Sequence, residues 1–333
     1  GIDLPGEVDE ATWDKVEHAI GELVERLHRD GEIAEHIDRD VLARDVLAET
    51  LGLGPLEDLL NDASVTGIMV NGPSSIFVER GHRVTQYGKV FSSTQGLYNV
   101  ADRLVAMATM EVDTEALLID FQTKEGSRVR LVLPPLAPLG PVIEIRQPQQ
   151  QPWTLQELVD EELLSNNMGE FLKLCLAAGK SILICGCRNS GRSALMGALA
   201  QELPPEARLI TVEEFCQLKL NRAHWIPLEG EGNMQEVLTI ATKLNPDWLL
   251  VDPLQGREIL EIAGAVASGS AVIATTGASG SDEVLSQLSA LALSSGVPLS
   301  PSASISMVAS SFQVIVHLNK ISSAAQRVIK ISE

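Results

Sequence analysis

The chain has 333 residues, 45% of them apolar and 21% charged, which suits a globular protein with room for two separately cored domains. Its net charge of −20 repels a phosphate backbone and argues against general nucleic-acid binding. No apolar run reaches the length of a membrane span and no signal-peptide pattern opens the chain, so the expected location is the cytoplasm.

The acidity is uneven. Residues 1–60 carry 17 Asp and Glu against 5 Lys and Arg. Such a stretch reads as a solubilising helical face, and it would also suit a basic protein partner. Within it, Val16, Ile20, Val24 and Leu27 recur at helical spacing, predicting a helix from Val8 to His28. A second helix is expected from Val41 to Leu51, stopped by Leu-Gly-Leu-Gly-Pro at 51–55. Residues 1–50 are thus read as an acidic helical segment.

Short β-rich runs follow at Gly67–Asn71, Ser75–Glu79 and Arg83–Val90, then a helix from Gln95 to Met107. Leu117–Thr123 and Arg128–Leu133 read as a hairpin around Glu-Gly-Ser, with one more strand at Pro141–Arg146. Residues 51–147 are therefore expected to form an α+β domain with a mostly antiparallel sheet.

Gln147–Pro152, Gln-Pro-Gln-Gln-Gln-Pro, is a polar, proline-bearing linker. Beyond it, in 148–333, apolar runs at Ile182–Cys185, Leu209–Val212, Trp248–Val251 and Ala271–Thr275 alternate with helical stretches. That alternation predicts an α/β domain with a parallel sheet and helices on both faces. The Ser-rich stretch 294–311 keeps Ile305, Val308 and Phe312 as apolar anchors, and Gln313–Leu318 with Arg327–Ile331 reads as a terminal hairpin. Cys175, Cys185, Cys187 and Cys216 form no Cys-x-x-Cys and have no paired His, so buried thiols are expected rather than zinc ligands.

The most informative segment is Ser181–Leu195. An apolar strand ends at Gly186, four residues follow, then Gly191-Arg192-Ser193 opens a helix. This is the phosphate-loop pattern Gly-x-x-x-x-Gly-Lys-Ser/Thr with arginine in the lysine slot. Glycines let backbone N–H groups curl round phosphates, the helix N-terminus adds partial positive charge, and the hydroxyl holds magnesium. Gly186, Cys187, Arg188, Asn189, Ser190, Gly191, Arg192, Ser193 and Ala194 are the candidate phosphate contacts. Arg192 keeps the charge, but guanidinium is wider and planar and does not fit the slot of a compact ammonium. A strand–loop–helix turn that binds nothing is the plainer reading of the same residues.

Gly-Leu-Gly-Pro-Leu-Glu at 52–57, Ser-Val-Thr-Gly-Ile-Met-Val-Asn-Gly-Pro at 64–73 and Phe-Val-Glu-Arg at 77–80 resemble the N-terminal domain of type II/type IV secretion and pilus-assembly motor ATPases, most closely the Tad-pilus type. So do Gly-Ser-Arg-Val at 126–129, Leu-Pro-Pro-Leu-Ala at 133–137 and Ile-Arg at 145–146. The resemblance implies a RecA-like nucleotide domain at 148–333 behind the α+β domain. It implies ATP or ADP with magnesium as cofactors, and a hexameric ring with nucleotide between the two domains. Its partners would be secretion or pilus machinery at the inner membrane, where the chain would be peripheral, or a true motor paralogue. Arg128 and Arg146 match N-terminal-domain arginines that reach the nucleotide; a surface salt bridge is the plainer reading of each.

Measured against that family, the reaction centre has changed. Glu213 and Glu214 stand in its acidic box, with Glu214 replacing Asp and Gln217 replacing a further acid. Leu249-Leu250-Val251-Asp252-Pro253 stands where the family has apolar residues followed by Gly-Glu, and Gln255 takes the slot of an arginine. Pro253 can neither accept a proton nor orient a water. Asp252 could still hold magnesium beside Ser193, or could simply cap a turn. Gly277 occupies the histidine slot of the family's Thr-Leu-His-Ala. Three readings follow: a pseudo-ATPase that regulates or scaffolds a motor; a slow ATPase using Arg192, Glu214 and Asp252; and a sensor of another phosphorylated ligand such as a cyclic dinucleotide.

Overall fold

The computed structural model describes residues 10–34, 36–81, 83–109, 112–113, 116–148, 153–230, 232–278, 280–294, 299–322 and 325–333. Residues 149–152 of the linker lie outside these. The chain divides into two compact units, 1–148 and 149–333.

In the first unit, helices α1 (Glu10–Arg29) and α2 (Arg39–Leu51) pair through buried Ile20, Val24 and Leu51 and an ion pair between Arg39 and Glu25 at 3.0 Å. Asp38 caps α2 by accepting from the N–H groups of Asp40 and Val41. A tight turn at Gly54–Leu56 leads into the short α3 (Glu57–Leu60). Strands β1 (Val65–Asn71), β2 (Ile76–Arg80) and β3 (Arg83–Gln86) form a meander, and α4 (Thr94–Ala106) follows. Strands β4 (Leu118–Gln122), β5 (Arg128–Val132) and β6 (Val142–Arg146) complete a six-stranded sheet in the order β3-β2-β1-β6-β5-β4. Every pairing in it is antiparallel. Alternate strand residues such as Ile68, Val70, Val129, Leu131, Ile143 and Ile145 are buried beside Leu97, Val100 and Leu104 of α4. Arg103 of α4 donates to the Glu49 and Thr50 carbonyls and ties α2 to this unit. The strand expected at Arg83–Val90 stops at Gln86. Its partner β2 begins at Ile76, so no ladder remains beyond Tyr87, whose N–H meets the Ile76 carbonyl.

The second unit opens with α5 (Leu155–Asp160), held by a capping box between Thr154 and Glu157, and α6 (Asn166–Ala177). Alternation then runs through β7 (Ile182–Gly186), α7 (Arg192–Gln201), β8 (Leu209–Glu213), β9 (Trp225–Glu229), α8 (Met234–Lys243), β10 (Trp248–Asp252), α9 (Ile259–Ala267) and β11 (Ala271–Gly277). Helices α10 (Ser281–Ser294) and α11 (Pro301–Ser311) precede the hairpin β12 (Val314–Ser322) and β13 (Ala325–Ser332). The sheet order is β13-β12-β7-β11-β10-β8-β9, parallel throughout except for β12 with β13. Every residue of β7 is buried. Ile182 and Ile184 enter one core and Leu183 and Cys185 the other, because successive side chains point to opposite faces of a sheet covered on both sides. Strand β9 was not expected. It is an edge strand of half-exposed residues with Pro227 at its centre, so it shows no apolar run.

Two cysteines correct the expectation of buried thiols. Cys175 and Cys185 are buried, but Cys187 is exposed because the chain leaves the sheet at Gly186, and Cys216 is only partly covered.

Burial of the central parallel strand predicts unequal costs for two apolar truncations. Ile184→Ala, fully buried in β7, should lower unfolding free energy by about 2–5 kcal/mol, whereas Leu174→Ala, 69% exposed on α6, should stay within about 0.5 kcal/mol. Urea unfolding of both variants checks this; equal losses would contradict the layer assignment.

Candidate functional site

The carboxyl ends of the parallel strands gather the residues singled out in the sequence. In register, Gly186 of β7 lies opposite Gly277 of β11 on one side and Leu318 of β12 on the other, and Asp252 of β10 lies opposite Glu213 of β8. Ligands of open α/β sheets bind outside these ends.

The loop 186–191 is built on close approach. A Cβ at Gly186 would sit 2.5 Å from the Leu318 carbonyl oxygen and 2.6 Å from Ser190 Oγ. Asn189 and Gly191 have left-handed φ of 58° and 91°, so the backbone alternates in the manner of an anion-binding nest. Cys187, Arg188, Asn189 and Ser193 are exposed, Gly191, Arg192 and Ala194 half-buried, and Ser190 buried. Helix α7 starts at Arg192 with no side chain capping its first turn, which leaves its leading N–H groups to a ligand or water.

Arg192 turns its guanidinium toward the sheet. Its Nη1 is buried without a hydrogen-bond partner and lies 3.7 Å from the position a Cβ on Gly277 would take. Its charge pulls down both the Asp252 carboxyl and the Cys185 thiol, yet burial outweighs it at each. Asp252 is raised above the usual carboxylate range, although the Ser193 and Thr275 hydroxyls also hydrogen-bond to it. Cys185 is pushed up to about 11. Thr275 donates to Asp252 Oδ1, a partner that the sequence reading did not identify.

The surviving acids are engaged by the protein. Glu213 is 2% exposed, and its Oε2 accepts from the N–H groups of Gln217 and Leu218, both at 3.0 Å, so it organises the turn after β8. Burial raises its carboxyl to about 7 against those two hydrogen bonds, and nearby Asp252 and Glu229 add to the rise. Glu214 is half-buried and its N–H donates to the Asp252 carbonyl at 3.1 Å. Pro253 follows Asp252 directly, and Gln255 is exposed, its N–H bound to the buried Glu258 carboxylate at 3.1 Å. Among the described residues no group of three His, Cys, Asp or Glu could hold a metal by itself. The Ser193 hydroxyl and the Asp252 carboxylate are nevertheless oxygen donors of the kind that share a magnesium with ligand phosphates, and they fit that limited role.

In the first unit, Arg128 and Arg146 belong to a charge ladder. Arg128 grips Asp120 with Nε at 3.0 Å and Nη2 at 2.8 Å; Arg130 reaches the same carboxylate at 2.9 Å. Burial would raise Asp120, but these guanidinium contacts outweigh it and hold the carboxyl below its ordinary range. Arg146 pairs with buried Glu79 and, at 3.2 Å, with Glu144. Both arginines stand in the ion pairs that are their plainer reading.

The buried Glu213 has a pH signature. It keeps its proton to about pH 7 when folded and to an ordinary 4.5 when unfolded. Its contribution to stability is therefore full below pH 4.5, declines as pH rises to 7 and is constant above, at about 1.4 kcal/mol per pH unit as an upper limit. Glu213→Gln should flatten the fall of unfolding midpoint between pH 5 and pH 7 relative to the parent. Parallel profiles for the two proteins would contradict the assignment.

The family described as "Type II/IV secretion system protein" matches residues 49–331. The chain is 28% identical over 273 residues to the type IV secretion system protein PtlH of Bordetella pertussis, covering 72% of this chain and 80% of that protein. It is 25% identical over 313 residues to a Mycobacterium tuberculosis protein named for conjugal transfer, covering 89% and 88% respectively. Its fold matches the pilus retraction motor PilT with bound ADP at a TM-score of 0.56 and 14% identity, over 78% of this chain and 76% of PilT. The Yersinia pseudotuberculosis ATPase DotB matches at a TM-score of 0.57 and 16% identity, over 79% and 72%. The second unit is a RecA-like domain, and the chain belongs to the type II/IV secretion system ATPase family.

Proposed function

We propose that this family member holds a nucleotide or a similar phosphorylated ligand without turning it over, and that it regulates or scaffolds a secretion or pilus-assembly apparatus. The observation that carries the reading is Pro253, set directly after Asp252 at the end of β10, in the slot where the family places its water-orienting glutamate. Asp252 and Glu213 stand beside that slot but not in it, and Glu213 Oε1 is buried without a hydrogen-bond partner. Asp252 is hydrogen-bonded by Thr275, and Glu213 by two backbone N–H groups. Loss of one group that acts in the transition state costs about 100- to 1000-fold in rate. Arg192 and Gly277 remove two further family groups from the same centre.

Phosphate binding is supported by the loop's left-handed residues, the uncapped start of α7 and the unpartnered Arg192 Nη1. A magnesium shared by ligand phosphates, Ser193 and Asp252 would neutralise phosphate charge. The Tad-type assignment rests on the ordered strings between residues 52 and 146, and the PtlH relative is named as part of a type IV secretion system. Partners are accordingly proposed among such machinery, with self-association, as a hexamer or beside a true motor paralogue, as the mode of assembly. Among the described residues no helix is long and apolar enough to cross a membrane.

A thermal-shift series with ATP, ADP and cyclic dinucleotides identifies the ligand, since one present at 100 times its Kd adds roughly 2.7 kcal/mol. The expected steady-state result is ATP hydrolysis by the parent that is undetectable or far below that of an intact relative. Arg192→Lys should change nucleotide affinity without restoring turnover, because Pro253 still holds the water-orienting slot. Pro253→Glu alone should also fail, because the lysine that meets γ-phosphate charge is absent. Gains in the double variant should be non-additive, as the two groups serve one transition state. Robust turnover by Arg192→Lys alone would move the water-orienting role to Glu213 or Glu214 and refute the reading of Pro253.

A further inference from the structure

The phosphate loop has a brace that lies far outside its sequence motif. Gln326, on β13, is 8% exposed, and its Nε2 donates to the Asn189 carbonyl oxygen at 2.5 Å. Its Oε1 lies 2.7 Å from the position a Cβ on Gly191 would take. The hairpin that carries it is anchored just after this residue. The Val328 N–H donates to the Leu163 carbonyl at 2.7 Å, Arg327 pairs with Glu162, and Leu163 Cδ1 stands 3.1 Å from the same Gly191 Cβ position.

The direction of that hydrogen bond matters. In a trans peptide the C=O and the following N–H point opposite ways. Drawing the Asn189 carbonyl toward the hairpin therefore turns the Ser190 N–H away from it. Among the described residues the Ser190 N–H meets no protein acceptor. A rotated peptide would instead present a carbonyl, with its partial negative charge, on the side where N–H groups are needed for an anion. The orientation of this peptide is set by ψ of Asn189 and φ of Ser190 together, and the Gln326 amide fixes the carbonyl that lies between them.

We infer that Gln326 is a positioning residue for the phosphate loop: its side-chain amide holds the Asn189–Ser190 peptide in the orientation that offers N–H groups to a phosphate. This rests on the proposed phosphate binding by the loop. It also ties occupancy of the loop to the terminal hairpin, since a ligand that tightens the loop tightens its bond to β13.

The test uses the full chain with Gln326→Ala, Gln326→Glu and, as a control, Arg327→Ala, which removes the neighbouring ion pair without touching the loop. Gln326→Glu keeps the shape and removes the donor. Two measurements are made: amide hydrogen exchange over residues 187–193 without ligand, and calorimetric titration with ADP and magnesium. Both Gln326 variants should raise exchange in 187–193 and weaken ADP by about tenfold, with a lowered unfolding midpoint as well, because the hydrogen bond to the Asn189 carbonyl is lost. Arg327→Ala should do neither. Parental exchange and parental ADP affinity in the Gln326 variants would overturn the proposal. Raised exchange beside a parent that binds no ADP would keep the brace and overturn phosphate binding by the loop.

Discussion

The site depends on one close approach, that of the end of β7 to β12. With only 2.5 Å between a would-be Gly186 Cβ and the Leu318 carbonyl, no residue but glycine lets the chain leave the sheet there and curl back into α7. That turn sets the loop at the carboxyl edge of the sheet. The parallel register then brings Gly277, Asp252 and Glu213 to the same edge. The loop is braced from behind by the hairpin that contains Leu318, so its shape is a property of the whole second unit as well as of its own residues.

The changes from the family pattern are neighbours in space. Arg192 has a wider head than lysine, and its Nη1 lies against Gly277, where the family carries histidine. A side chain at 277 longer than a methyl would compete with the guanidinium for that space. Widening one residue and emptying the other are thus compatible halves of one rearrangement. Burial raises the Asp252 carboxyl above the usual carboxylate range, against the Ser193 and Thr275 hydroxyls and the charge of Arg192, all of which favour its ionised form. On the proposed reading, this centre holds phosphate through its loop and Arg192 and has Pro253 where a water-orienting group would stand.

Much of this was legible in the sequence because periodicity and local spacing carry it. The near-continuous apolar runs of β7, β8 and β10 announce strands covered on both faces, and the Gly-x-x-x-x-Gly spacing announces the loop between β7 and α7. The alternating runs of the first unit announce hairpins. Features that depend on pairing across the chain were not legible. The end of β3 is set by where β2 begins, and β9 exists because β8 offers a free edge to a half-exposed segment. Cys187 follows a buried strand by one residue but is exposed, since the backbone turns out at Gly186. Glu213 reads as a reaction-centre acid, and the local sequence does not show that one of its oxygens, Oε2, also holds the turn at Gln217 and Leu218. Gln326 lies 137 residues from Asn189, and nothing in the local sequence around it marks it.

The central claim is a site that holds a phosphorylated ligand but does not cleave it. The most direct measurement is the chemical fate of bound nucleotide. The full chain is incubated with ATP and magnesium, separated from free nucleotide, and the bound fraction identified by chromatography over several hours. The account predicts that intact ATP is recovered with the protein and that Ser193→Ala reduces the amount recovered. ADP and phosphate accumulating with the parent, and abolished by Ser193→Ala, would contradict it.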